Sequence, residues 1–151
     1  MRGPCRPASG PCVARSAAAR GQRIARLRDR VCGDDAEARK AFKVYLVAHS
    51  MGGLICRCLL QNPDVASAEI RGLVDKVFTY ATPHNGIELG GINVPSFLSM
   101  NDMNNFSRPR MAEYLKTSPD QVNTLGNSGF PASRMFCLIG TNSRDYAIAN
   151  G

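Results

Sequence analysis

The sequence of 151 residues lacks several features that mark special classes of protein. No stretch approaches the ~18 consecutive apolar residues that a membrane-spanning helix needs. The N-terminal region has no apolar core of the kind found in secretory signals, so a reducing, cytoplasmic compartment is the default expectation. The six cysteines follow no zinc-binding spacing, and neither histidine lies beside one of them.

The excess of positive charge is confined to the N-terminal end of the chain. The formal net charge is +7, and residues 1–30 hold eight arginines against one acid, whereas residues 31–151 hold 11 basic and 11 acidic residues. A body without net charge does not indicate nucleic-acid binding. Residues 1–21 are rich in Arg, Ala and Pro without sustained periodicity, which predicts a disordered tail. The functional alternatives for this tail are an anionic-surface tether or a transit segment.

Helical and strand patterns alternate over residues 22–151. Continuous apolar runs predict strands buried on both faces at Lys43–Ala48, about Lys76–Ala81 and Arg134–Gly140. Between them lie helical patterns, which together predict an α/β fold with a mainly parallel sheet. The first helix is expected to bury a stripe of apolar residues at helical spacing, namely Ile24, Leu27 and Val31.

The first strand ends in Ala48-His49-Ser50-Met51-Gly52, directly before a helical pattern. Small-x-Ser-x-Gly is the pattern of a nucleophile elbow, in which the serine sits at the apex of a tight strand-to-helix turn. Ala48 and Gly52 leave room for strand and helix to approach. The backbone N–H of Met51 would then supply one donor of an oxyanion hole. His49 is expected to be a packing residue, because neighbours on a strand point to opposite faces.

The segment VYLVAHSMGGLICR, followed about thirty residues later by VFTYATPHNG, resembles the lipase and esterase branch of the α/β-hydrolase superfamily. It is closest to bacterial triacylglycerol lipases and GPI inositol-deacylase-like hydrolases. The resemblance implies a partial α/β-hydrolase fold, with helices on both faces of the sheet and a helical, lid-like insertion over about residues 87–133. It also implies ester or lipid substrates, no cofactor, and Ser50 as the nucleophile. His84 matches the family's Thr-Pro-His motif, which does not supply the triad base.

The resemblance implies a triad in the order Ser, Asp, His, and the sequence supplies only part of it. Asp145 follows the third predicted strand and is the candidate acid. No histidine follows it, and little chain precedes the first strand. We therefore expect the chain to be the middle part of a hydrolase domain that spans residues 22–151 here.

The predicted insertion is rich in apolar side chains that would suit a lid over an acyl-binding cleft. The alternative is an ordinary helical crossover whose apolar residues pack on the sheet. The residues concerned are Phe97, Leu98, Met100, Met103, Phe106, Met111, Tyr114 and Leu115.

Three hypotheses for function follow. The first is a lipase- or esterase-like serine hydrolase of carboxylic esters. The second is a catalytically inactive α/β-hydrolase remnant or interaction protein that keeps the elbow without the chemistry. The third is an anionic-surface binder led by the arginine-rich tail, whose binding would weaken strongly with salt.

Overall fold

The computed structural model describes residues 12–87, 104–126 and 128–139. Helices and strands alternate along this part of the chain, as the sequence predicts. Chain order gives α1 (Cys12–Cys32), α2 (Ala36–Ala41), β1 (Val44–His49), α3 (Met51–Gln61), α4 (Ala68–Gly72), β2 (Val74–Tyr80), α5 (Arg108–Leu115) and β3 (Met135–Leu138).

The three strands form a parallel sheet in the order β1-β2-β3. Leu46 pairs with Val77, and Thr79 pairs with Cys137. Because the strands are parallel, their carboxyl ends meet at one edge of the sheet, where the turn at Ser50 lies. This arrangement is the α/β architecture expected of a partial α/β-hydrolase fold.

The sheet buries one face and leaves the other open in the described part of the chain. Leu46 and Val77 are buried on the face against which α3 packs, and α1 packs on α3. The prediction that the strands are buried on both faces is wrong here, because the described helices contact the sheet from one side. The side chains on the open face include Tyr45, Val47, Tyr80, Phe136 and Leu138.

Helix α1 begins at Cys12, within the segment predicted to be a disordered tail. Its buried face consists of small or apolar residues, and a Cβ on Gly21 would lie 3.2 Å from Leu59 Cδ1. Close packing against α3 therefore orders residues that composition alone suggests are disordered. The predicted stripe is only partly buried, since Leu27 and Val31 are exposed. The buried face comprises Val13, Ala14, Ala17, Gly21 and Ile24.

The second half of the predicted insertion packs into the core. Helix α5 starts after Ser107, with Pro109 in its first turn. The four apolar candidates that the structure describes are almost fully buried, and α5 packs against α3. Those four are Phe106, Met111, Tyr114 and Leu115, whereas Phe97, Leu98, Met100 and Met103 lie outside the described residues.

Candidate active site

Ser50 occupies a strained backbone conformation between β1 and α3. Its φ of 50° and ψ of −128° lie outside the regions that side-chain-bearing residues commonly adopt. Its backbone N–H donates to the carbonyl of Tyr80 at 2.9 Å, which holds the turn against the end of β2. Ser50 is also the N-cap of α3, yet its hydroxyl makes no capping hydrogen bond. The hydroxyl is thus not engaged in stabilising the helix that it precedes.

Two glycines allow helix α3 to start this close to the sheet. A Cβ on Gly52 would lie 3.4 Å from the Ala48 Cβ, which is ordinary contact. A Cβ on Gly53 would lie only 2.2 Å from Thr82 Oγ1, a distance that no packed pair of atoms tolerates. The residue that the turn requires most strictly to be glycine is therefore Gly53, one position beyond the small-x-Ser-x-Gly pattern.

Thr82 joins the Thr-Pro-His loop to the serine turn. Its hydroxyl donates to the Ser50 carbonyl at 2.9 Å, and the Gly53 N–H donates to the same oxygen at 3.0 Å. Hydrogen bonds from the first turn of α3 and from the Thr-Pro-His loop therefore hold the backbone of Ser50. Sequence reasoning paired the two motifs by resemblance but did not identify this contact. The second threonine in VFTYATPHNG, Thr82, was its only signal.

His84 is tied into the loop rather than presented as a free base. Its Nε2 lies 2.9 Å from Thr79 Oγ1. Burial, reinforced by the positive charge of Arg57, lowers the pKa of His84 to about 4. A general base works best when its pKa lies near the operating pH. An imidazole with so low a pKa is a weak proton acceptor, in keeping with the expectation that this histidine is not the triad base.

Arg57 is a fully buried cation that links three segments. Its Nε donates to Gln61 Oε1, and its terminal nitrogens donate to the carbonyls of His84, Val122 and Thr124 at 3.0, 2.6 and 2.5 Å. Burial lowers its pKa to about 10, so the guanidinium stays charged at neutral pH. The charge of Arg57 is therefore satisfied by carbonyl oxygens. Through these hydrogen bonds, Arg57 connects the Thr-Pro-His loop to α3 and to the turn after α5.

The remaining predicted residues have different outcomes. Met51 is the first residue of α3, so its N–H has no partner within the helix and is available at the turn. His49 is exposed on the open face of the sheet, with its ring centroid 5.8 Å from that of Tyr80. Asp145, the candidate triad acid, lies outside the described residues. Ser50 and Met51 therefore lie next to each other at the start of α3. Their roles as nucleophile and oxyanion-hole donor stay predictions.

Neither a metal cluster nor a membrane-spanning helix is found in the described ranges. No group of three or more His, Cys, Asp or Glu side chains there could hold a metal ion. None of the helices in those ranges combines the length and apolar character that crossing a bilayer requires.

Comparison with known proteins agrees with the α/β fold. The model of a PGAP1-like alpha/beta domain matches residues 22–129, which include the serine turn, the Thr-Pro-His loop and α5. No curated protein and no solved structure matches the chain. Because the family match covers most of the chain, this protein belongs to the PGAP1-like alpha/beta domain family of the α/β-hydrolase superfamily.

Proposed function

We propose that this chain carries the nucleophile of a serine hydrolase that acts on carboxylic ester bonds, with lipase- or esterase-like substrates. The observation that carries the proposal is the backbone of Ser50. A non-glycine residue at φ 50° costs about 1–3 kcal/mol, and such strain persists at functional sites. Family membership supports hydrolase-type chemistry. Neither a helix cap nor a core contact explains why a serine should occupy this turn.

The proposed reaction begins with attack of the Ser50 Oγ on the ester carbonyl. A general base takes the hydroxyl proton, and the carbonyl oxygen becomes an oxyanion that accepts a hydrogen bond from the Met51 N–H. Collapse of this intermediate expels the alcohol, which takes up the proton, and leaves an acyl group on Ser50. Water then attacks the acyl group by the same route and releases the carboxylic acid.

The dipole of α3 would assist the step in which charge develops. Helix N-termini carry partial positive charge, equivalent to about half an elementary charge, on their free N–H groups. The 11-residue helix α3 begins at Met51, next to the proposed nucleophile. Asp145 remains the proposed triad acid on sequence grounds. The base is not assigned, because the only histidine after Ser50 is His84.

The alternative is a catalytically inactive α/β-hydrolase remnant or interaction protein. This alternative is favoured by the Ser50 hydroxyl, which has no hydrogen-bond partner in the described part of the chain. Without a base, the serine hydroxyl stays protonated and is a weak nucleophile. The two proposals therefore differ in whether Ser50 reacts.

A fluorophosphonate probe tests this difference, because it labels only activated serines. We expect labelling of the protein and of Ser118→Ala, and no labelling of Ser50→Ala. Ser118 is a matched control, since it is also an N-cap serine without a side-chain capping bond, but at an ordinary φ of −90°. Hydrolysis of p-nitrophenyl acetate should follow the same order. Absence of labelling in the folded protein would favour the inactive remnant.

A further inference from the structure

A cavity lies at the edge of the sheet opposite to Ser50. Its volume is about 370 Å³, and it opens beside the amino ends of β2 and β3. Since a strand rises by about 3.3 Å per residue, the length of β2 separates this cavity from the serine turn by roughly 20 Å. It is thus a separate feature from the candidate active site. The residues that line it include Leu60, Arg71, Val74, Phe130, Pro131 and Arg134.

Positive charge dominates the cavity. Arg71 and Arg134 both line it, and Lys43 donates from Nζ to the carbonyl of Gly72 in the wall at 2.7 Å. Asp75 pairs with one terminal nitrogen of Arg134 at 3.1 Å and so neutralises one of these cations. The other acid nearby, Glu69 on α4, is paired with Arg28 on α1.

Arg71 has no counterion in the described part of the chain. Its Nε is buried and has no hydrogen-bond partner in the described part of the chain. The one hydrogen bond of its side chain within the described residues is long, 3.4 Å from a terminal nitrogen to the Leu60 carbonyl. The terminal nitrogens of Arg71 therefore keep unused N–H donors at the wall of the cavity, where an anion could accept from them. Arg28 Nε also lacks a hydrogen bond, but it lies 3.6 Å from a carboxylate oxygen of Asp29, and the same guanidinium is paired with Glu69.

Apart from the two arginines and Ser128, the lining consists of glycines and apolar side chains, which limits the kind of anion that fits. Leu60 and Val74 are buried beneath the cavity, whereas Phe130 and Pro131 are its partly exposed wall. Ligand pockets for small organic molecules span about 300–1,000 Å³ and combine apolar walls with a few polar groups. The cavity falls within that range and exceeds the need of a bare inorganic anion. A guanidinium suits the two oxygens of a phosphate or a carboxylate.

We propose that this cavity binds a small organic anion, with its phosphate or carboxylate head on Arg71 and Arg134 and its apolar part against Leu60, Val74 and Phe130. The site is independent of the chemistry proposed for Ser50. Binding there would neutralise Arg71 and add a contact between α4 and the segment that leads into β3.

The test is isothermal titration with phenyl phosphate, benzoate, inorganic phosphate and uncharged benzyl alcohol at constant ionic strength. We expect saturable binding of phenyl phosphate or benzoate, weaker binding of inorganic phosphate and none of benzyl alcohol. The order of the two aromatic anions tells which head group the site prefers. Arg71→Gln and Arg134→Gln should each weaken binding at least tenfold, and Ser50→Ala should leave it unchanged.

Arg110→Gln is the control for general loss of positive charge, because Arg110 pairs with Glu113 on α5 and lies outside the cavity. Three results would overturn the proposal. These are equal weakening by Arg110→Gln, binding of benzyl alcohol as tight as that of the anions, or no saturable binding by any probe. Should Arg71→Gln not fold, Arg134→Gln decides the matter, since the Arg134 side chain is 50% exposed and tolerates substitution.

Discussion

At the scale of single residues, the strained backbone of Ser50 lowers the stability of the fold at a position that we propose is catalytic. Glycine adopts positive φ without a Cβ penalty, which makes Ser50→Gly a way to release the strain. Relief of about 1–3 kcal/mol outweighs the ~0.5–1 kcal/mol that glycine costs by loosening the unfolded chain. We therefore expect Ser50→Gly to be more stable than Ser50→Ala by about 1 kcal/mol in urea unfolding, while neither variant reacts with the fluorophosphonate probe.

Ser118 provides the comparison for this prediction. Its φ is −90°, a value that any residue adopts, so no strain is there to be released. Ser118→Gly should differ from Ser118→Ala by less than about 0.5 kcal/mol, because the N-cap preference for glycine over alanine offsets the cost of glycine in the unfolded chain. If glycine had the same effect at both positions, the backbone of Ser50 would not be strained and the main support for its proposed role would be lost.

The low pKa of His84 predicts how stability responds to acid. In the folded protein this pKa is about 4, whereas an unfolded histidine titrates near 6.5. Between these values the unfolded chain binds a proton that the folded protein does not. Stability should therefore fall as the pH drops from about 6.5 to about 4, by up to about 3 kcal/mol. Urea unfolding at several pH values measures this slope.

His84→Gln separates this histidine from the other titrating groups. The variant keeps a polar side chain near Thr79 but cannot take up a proton, so its stability should depend less on pH across that window. Asp29, whose pKa is held below its ordinary value by a hydrogen bond from Arg39, contributes to acid lability only below that ordinary value of 3.8. An unchanged slope in His84→Gln would mean that another group controls the acid response.

At the scale of elements, the junction of β1 and α3 contains two glycines, and Gly53 has much less room for a side chain than Gly52. We expect Gly53→Ala to cost about 2–3 kcal/mol, because its Cβ would collide with Thr82 and displace the hydroxyl that binds the Ser50 carbonyl. Gly52→Ala should be neutral or slightly stabilising, since the added Cβ makes ordinary contact and alanine favours helix. Thermal unfolding of the two variants measures the difference.

Reactivity provides a second measurement for the same pair. Gly53→Ala should also lose probe labelling, since it shifts the turn that holds Ser50, whereas Gly52→Ala should retain it. Equal effects of the two substitutions on both stability and labelling would show that Thr82 does not brace the turn.

The elements that could be predicted from sequence are those with local signals. Continuous apolar runs located all three strands to within a few residues. The start of α1 was missed because its buried face is made of alanine and glycine, whose value lies in close contact with α3 and not in hydrophobicity. The contact of Thr82 with Ser50 was missed because 32 residues separate the two partners, so no local pattern indicates it.

At the scale of the whole molecule, the sheet is covered unequally. In the described ranges its open face carries aromatic and aliphatic side chains, among them Val47 at 76% exposure. Phe78 and Phe136 stack on this face with ring centroids 4.8 Å apart. A run of strand residues does not by itself distinguish one covered face from two, which is why burial on both faces was predicted. The described helices pack against one side of the sheet. On that same side, Arg57 binds the loop after β2 and the segment after α5.

Arg57 therefore determines how firmly the segment after α5 is attached to the rest of the molecule. Arg57→Met removes the donors that serve the carbonyls of His84, Val122 and Thr124, and leaving several such acceptors without partners should cost about 3 kcal/mol. Hydrogen exchange should show the amides of residues 104–126 losing protection before those of β1 and β2.

Arg110→Met is the matched control, because Arg110 is an exposed arginine whose ion pair lies within a single helix. Its loss should change stability by less than about 0.5 kcal/mol. Arg57→Lys should give an intermediate value, since a lysine keeps the charge but cannot reach three carbonyls with one planar group. If Arg57→Met and Arg110→Met were equally mild, the segment after α5 would be held by its buried apolar residues, and its attachment would not depend on the buried cation.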